Sequence, residues 1–257
     1  MPENPSYQVA ETDVEIQTPD GVCNAAYFRP SRGAHPGVLI WPDAFGLRPT
    51  FREIGRRLAA DGYSVLVPNP YYRISPAPLD TAHFSFQDPA DMAKLHSLMG
   101  PLDTPGVIES DAGALLAFLD AQPEVDVSRK IGTQGYCLGG RMAFRTAAAL
   151  PGRTGAGASF HGGGLVTGKP DSPHLLASKI KAHMYVAVAA SDDERQPDAK
   201  VTLQAAFAAA RVPAEIEVYP GTRHGWCIRD MPAGEYNRPD ADRAWEKLLT
   251  LYRENLG

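Results

Sequence analysis

The stretch "GTQGYCLGG", residues 132–140, places a cysteine between glycines, after residues of strand character and before residues of helical character. A strand-to-helix turn of small residues lifts one side chain above a sheet, because its tight backbone leaves no room for Cβ atoms on the flanks. A thiol held there can act as a nucleophile, given a base to ionise it and an acid to orient that base. Both follow in the chain. After the strand-like residues 183–190 comes "SDDERQP", and after the strand-like residues 214–220 comes "GTRHGW". Each lies at the carboxyl end of an expected strand, the edge where parallel sheets gather their ligand-binding groups. The order Cys137, Asp193, His224 reads as nucleophile, acid and base, with Asp193 preferred to its neighbour Asp192. Taken singly, each residue has a plain structural use as core thiol, turn aspartate or packed histidine. Their joint order and placement point to catalysis.

Other chemistries find no support. The seven histidines form neither H-x-x-x-H nor H-E-x-x-H, so no zinc site is expected. "GYCLGGRM" lacks the GK[ST] of a phosphate-binding loop, and its glycines do not follow G-x-G-x-x-G. No cofactor and no metal are expected. Cys23, Cys137 and Cys227 are the only three cysteines, too few and too scattered for a disulfide framework. With 25 basic against 30 acidic residues the net charge is −5, and no run of Lys and Arg appears, which argues against nucleic-acid and membrane partners. "MPENPSYQVAETDVEIQ" has neither a basic n-region nor an apolar h-region, and no apolar run of membrane-spanning length occurs. A soluble, cytoplasmic protein is the expectation; the oligomeric state is left open.

Strand-like and helix-like stretches alternate from about residue 36 onward, the pattern of βαβ units and a mostly parallel sheet covered on both faces. "EIQTPDGVCNAAYFRP" resembles a hairpin around Pro19, Asp20 and Gly21. The strands "GVLIWP", "YSVLVP", "KIGTQGY", "GAGASF", "HMYVAVAA" and "AEIEVYP" alternate with helices in "TFREIGRRLAADG", "GVIESDAGALLAFLDAQ", "LGGRMAFRTAAAL", "HLLASKI" and "DAKVTLQAAFAAAR". A last helix in "RPDADRAWEKLLTLYRENL" carries Ala244, Leu248 and Leu251 at helical spacing, with Pro239 near its start. One domain over residues 1–257 is the simplest organisation. Residues 74–105 break the rhythm, an insertion of the kind that either covers a site as a lid or merely decorates a surface.

With "GYCLGG", "SDDERQP" and "RHGW" together, the sequence resembles the dienelactone hydrolase family, cysteine hydrolases of the α/β-hydrolase fold. The likeness runs from about Val14 to the last helix. It implies that Cys137 is the nucleophile, that His224 is the base, and that Asp193, four residues before Pro197, is the orienting acid. It further implies that Asp43 in "WPDAFGL" faces the nucleophile, and that the Ala44 N–H joins that of Leu138 in an oxyanion hole. "NPYYR" resembles the segment whose arginine takes the substrate's carboxylate, which implicates Arg73. Two departures stand out: the family's glutamate is here Asp43, and its second carboxylate-binding arginine is here Ile228, with Arg229 one residue on. The implied activity is hydrolysis of a small lactone or ester, carboxylate-bearing where the arginines serve, through a thioacyl intermediate. The rival readings are a general carboxylesterase or thioesterase for neutral acyl groups, and a non-catalytic, redox-responsive thiol protein, which would have no use for a complete triad.

Overall fold

The computed structural model describes residues 7–79, 84–230 and 236–257. Its frame is one eight-stranded sheet. In chain order the strands are β1 (Val9–Thr18), β2 (Gly21–Pro30), β3 (Gly37–Trp41), β4 (Ser64–Pro68), β5 (Ile131–Tyr136), β6 (Thr154–Phe160), β7 (His183–Ala189) and β8 (Ala214–Tyr219). Their order across the sheet is β1-β2-β4-β3-β5-β6-β7-β8. β1 and β2 form the expected hairpin, Thr18 opposite Gly21, and β2 joins β4 antiparallel. From β4 to β8 every pairing is parallel. β3, β4 and β5 are buried along their whole length, which is why each reads as an unbroken run of apolar or small residues.

Among the described residues seven α-helices accompany this sheet: α1 (Pro49–Ala60), α2 (Pro89–Met99), α3 (Val107–Asp120), α4 (Leu138–Ala149), α5 (Ala190–Arg195), α6 (Asp198–Ala210) and α7 (Arg238–Asn255). α1 starts on Pro49, whose fixed φ suits a first helical position, and buries Phe51, Gly55, Leu58 and Ala59 along one stripe. α7 presents Ala241, Ala244, Trp245, Leu248, Leu249 and Tyr252 to the same face of the sheet. Leu251, expected in that stripe, lies only at its margin. α3 and α4 pack on the opposite face with Trp41, whose indole N–H donates to Thr146 Oγ1 at 2.9 Å inside the core. "HLLASKI" is a 3₁₀ segment, Pro173–Lys179, and not an α-helix. The excursion 74–105 contains α2, capped by the Asp88 carboxylate accepting from Ala90 N–H; residues 80–83 within it lie outside the described residues.

The chain adds β4 on one side of β3 and then crosses to add β5 on the other. That reversal leaves a crevice at the carboxyl ends of β3 and β5, where open α/β sheets hold their ligands. Helix α4 can sit tightly there because its glycines remove the obstructing atoms. A Cβ on Gly135 would lie 1.9 Å from the Gly139 carbonyl oxygen, and one on Gly139 would lie 2.2 Å from that of Trp41. Gly135→Ala is therefore expected to cost about 3 kcal/mol or more, since backbone must move to accept it. Gly113, within α3, has open space where its Cβ would go. Gly113→Ala is expected to stabilise by about 0.5–1 kcal/mol through helix propensity alone. Equilibrium urea unfolding of the two variants checks both signs.

Candidate active site

Cys137 follows the last residue of β5 and caps α4 with φ 50° and ψ −114°, a left-handed conformation that side chains rarely adopt. Three backbone hydrogen bonds hold it there. Its N–H donates to Phe160 O at 3.0 Å, and its carbonyl accepts from Gly140 N at 3.1 Å and Gly163 N at 3.2 Å. The thiol is partly exposed, whereas Cys23 is buried. Cys227 has its thiol pushed well up by burial, and Cys23 is pushed up to about 12 for the same reason. Neither has the surroundings of a reactive thiolate.

His224 stands in the loop after β8. Its N–H donates to Ser191 Oγ at 3.0 Å, and the Ser191 N–H in turn donates to Thr222 O at 3.2 Å, so the loops after β7 and β8 brace each other. The ring Nδ1 lies 2.8 Å from Asp192 Oδ2. Burial opposes charge on this ring, but its neighbours Asp192 and Cys137 hold its pKa up at about 10. At neutral pH the imidazole is the cation of the site.

The imidazole's carboxylate partner is thus Asp192, one position before the expected Asp193. Asp193 holds Lys200 Nζ with both oxygens, at 2.6 and 2.8 Å, and does not bond the imidazole. Both aspartates sit in the first turn of α5, a helix of six residues absent from the sequence expectation. Neighbouring helical residues point about 100° apart, so only one of the two can face His224 while the other faces α6. Asp192 is also paired with Arg195.

Asp43 corrects a second expectation. Its carboxylate is fully buried and is clasped by Arg48, Oδ1 to Nη1 at 2.7 Å and Oδ2 to Nη2 at 2.9 Å, while Oδ1 also accepts Phe45 N–H at 2.9 Å. Arg48 reaches on to Asp230 at 2.8 and 3.0 Å. Asp43 is therefore a strut of its own loop, pulled back by an arginine five residues on. The strut fixes the neighbouring peptide. Tyr71 donates its hydroxyl to Ala44 O at 2.8 Å, and the Gly46 N–H donates to Asp43 O at 2.9 Å, which sets the orientation of Ala44 at the end of β3. Leu138 is the first residue of α4, so its N–H has no acceptor within the helix.

The arginines are engaged elsewhere. Arg73 is forked onto Asp111 of α3, at 2.8 and 2.9 Å, and onto Asp20 in the hairpin turn, at 2.6 and 3.0 Å. Its guanidinium turns along the β1–β2 side of the molecule. Arg229 is exposed, its guanidinium 5.5 Å from the centre of the Tyr236 ring, on the wall of a cavity of about 240 Å³ between α1 and α7. His224 and Asp192 line a different cavity, of about 300 Å³, with Gly162, Gly163 and Val166. Arg48, Tyr71, Ser191 and Thr222 belong to the site's framework although nothing in the sequence singled them out. Among the described residues, no cluster of three His, Cys, Asp or Glu could hold a metal ion, and no helix is long and apolar enough to cross a membrane.

Comparison with known proteins follows the same lines. A protein of Salmonella typhi provisionally named carboxymethylenebutenolidase is 27% identical over 263 residues, covering 93% of this chain and 90% of its own. One of the same provisional name from Synechocystis is 26% identical over 230 residues, covering 87% and 88%. A crystal structure described as a dienelactone hydrolase from Klebsiella pneumoniae superposes with a TM-score of 0.82 at 24% identity, covering 96% of this chain and 99% of that one. A dienelactone hydrolase-like promiscuous phosphotriesterase from metagenomic libraries gives 0.80 at 24%, covering 97% and 99%. The fold is that of the α/β hydrolases. The sequence profile of the dienelactone hydrolase family matches residues 24–256, including the Cys137 turn and both loops that brace His224, and the chain belongs to that family of ester- and lactone-cleaving hydrolases.

Proposed function

We propose that this protein hydrolyses an ester or lactone through a thioacyl intermediate, with Cys137 as nucleophile, His224 as proton carrier and Asp192 as orienting acid. The observation that carries the reading is the single imidazole that bonds Asp192 at 2.8 Å and whose pKa is raised by Cys137, a thiol on a left-handed turn. The reaction starts from the thiolate of Cys137, the form of the side chain that is nucleophilic, with its proton on His224. The thiolate attacks the acyl carbon, and the carbonyl electron pair moves onto oxygen, where the Leu138 and Ala44 N–H groups receive it. One such donor is worth about 3–4 kcal/mol in acyl transfer. The tetrahedral species collapses by expelling the alkoxide, which takes the proton from His224. The neutral ring then takes a proton from water as that water attacks the thioester. Collapse releases the carboxylic acid, which ionises to solvent, and restores thiolate and imidazolium. No cofactor enters these steps.

The engagement of Arg73 favours a neutral acyl group over a carboxylate-bearing lactone, because a guanidinium forked onto two aspartates has no free face for a third carboxylate, and Arg229 lies on a different cavity from His224. The substrate class follows as a small neutral ester, thioester or lactone.

Three measurements test this. First, Cys137→Ala is expected to abolish hydrolysis in a folded protein, while Cys23→Ala and Cys227→Ala retain it; intact-protein mass spectrometry of quenched wild type should find one acyl group on Cys137. Turnover by Cys137→Ala at the wild-type rate would end the mechanism. Second, Asp192→Asn is expected to lower kcat by about 10³–10⁴, since the wrong tautomer of His224 would be held. Asp193→Asn should stay within a few-fold of wild type, and the reverse ranking would restore Asp193. Third, Arg73→Ala is expected to cost about 1–3 kcal/mol of stability by leaving Asp111 buried without its ion. It should change kcat/KM for a carboxylate-bearing lactone and for a neutral aryl ester by the same factor. A selective loss on the anionic lactone would return Arg73 to the substrate site.

A further inference from the structure

Directly after β6 stands a second histidine that the steps above do not use. His161 is 1% exposed and has φ 39°, the left-handed region again. Its backbone is tied by an N–H donated to Ala187 O at 2.8 Å. Its ring lies 4.9 Å, centre to centre, from that of His224 with the planes 71° apart, an edge-to-face contact. Behind it lies Tyr136, with ring centres 6.2 Å apart. Neither Nδ1 nor Nε2 has a hydrogen-bond partner among the described residues.

Each of these features works against stability. A buried polar atom left unpaired is destabilising, and so is a left-handed backbone at a residue with a side chain. An apolar side chain would avoid the first penalty, so the imidazole is not explained as filler. Retained strain and unpaired polar groups concentrate where they serve the site rather than the fold.

We propose that His161 is a positioning residue for His224: an imidazole that stays neutral, blocks the swing of the His224 ring about its bond to Asp192, and turns its dipole toward the charge that ring carries. Blocking is geometric. The Asp192 bond fixes one end of the His224 ring but leaves rotation about that axis, and the edge contact from a backbone-anchored ring removes it on one side. Neutrality follows from burial, which disfavours charge on His161, and from the nearby His224, which disfavours a second cation. The groups that set the charge on His224 are then Asp192 from α5, Cys137 from the turn and the His161 dipole from β6. The ring of Tyr136 closes the far side of His161. The proposal rests on His224 being the proton partner of Cys137.

The test compares His161→Leu and His161→Gln with wild type. The readouts are thermal unfolding, the pH profile of Cys137 alkylation by iodoacetamide followed by peptide mass, and kcat and KM on a neutral aryl ester. For His161→Leu the melting temperature should be unchanged or higher. The midpoint of the alkylation profile should move up by about one pH unit, slowing alkylation near neutrality about tenfold. kcat should fall with KM held. His161→Gln keeps a side-chain dipole without the ring, and should fall between the two.

A His161→Leu protein with the wild-type alkylation profile and kcat overturns the proposal, as does one that merely loses stability while both stay unchanged. If His161→Leu does not fold, His161→Gln decides: a shifted profile supports the proposal and a wild-type profile ends it. The alkylation profile needs no turnover. Wild-type protein that still hydrolyses esters after Cys137 is alkylated would therefore defeat the nucleophile assignment, leaving the His161 effect on the thiol to be judged separately.

Discussion

The left-handed turn at Cys137 is the constraint on which the rest of the site depends. A cysteine at φ 50° carries roughly 1–3 kcal/mol of backbone strain, and three backbone hydrogen bonds to Phe160, Gly140 and Gly163 hold it in place. Those partners exist only because α4 enters the sheet almost in contact with it. Gly135 and Gly139 allow the helix's first turn to meet β5 and the end of β3, and Gly140 lets it approach Ser159 and Gly162 on β6 and its loop. The same close approach sets the Leu138 N–H beside the loop that carries Ala44. The Cys137 turn and the start of α4 are therefore one geometric object, fixed by where side chains are missing.

Around that object, charges are used as fasteners. Arg48 joins Asp43 to Asp230 across 182 residues of sequence, tying the loop after β3 to the segment that follows His224. Arg73 ties the β1–β2 turn to α3, and Lys200 ties α5 to α6 through Asp193. Buried or half-buried ion pairs add little net stability, but removing one partner strands the other, so they define one arrangement of loops against alternatives. A site assembled from five separate loops at one sheet edge needs that definition more than it needs further apolar burial.

The sheet, its hairpin and most of its helices were legible in the sequence because each depends on local pattern: buried strands as apolar runs, α1 and α7 as stripes at helical spacing, and the nucleophile turn as glycines at fixed offsets. The placement of His224 in the loop after β8 was legible because position after a strand sufficed. The aspartate was not, since Asp192 and Asp193 differ only in direction, and direction is set by a six-residue helix too short to leave a periodic signal. The fates of Asp43 and Arg73 were hidden for a related reason. Each residue type is apt for a ligand, but the choice between substrate and Arg48, or between substrate and Asp111, is made by tertiary neighbours. His161 left no trace at all, because a histidine after a strand becomes informative only when a second one lies 4.9 Å away.

The electrostatics of His224 also bear on the order of events in the proposed reaction. Burial alone would leave this ring neutral; what lifts it to about 10 is the pairing with Asp192 and with the sulfur of Cys137. The two contributions differ in duration. Asp192 bonds the ring throughout, whereas the negative sulfur of the proposed mechanism exists only until the acyl group is attached. Before acylation both partners hold the proton on the ring, which is the state that can supply a leaving alkoxide. Once the sulfur is a neutral thioester, its share of that support is gone while the burial remains, so the ring that has given up its proton stays neutral and is free to take one from the attacking water. When the thioester breaks, the thiolate returns and the proton is again favoured on the imidazole. One histidine can thus serve as acid and then as base without moving between environments, because the nucleophile's own charge, present in one half of the cycle and absent in the other, resets its affinity for the proton.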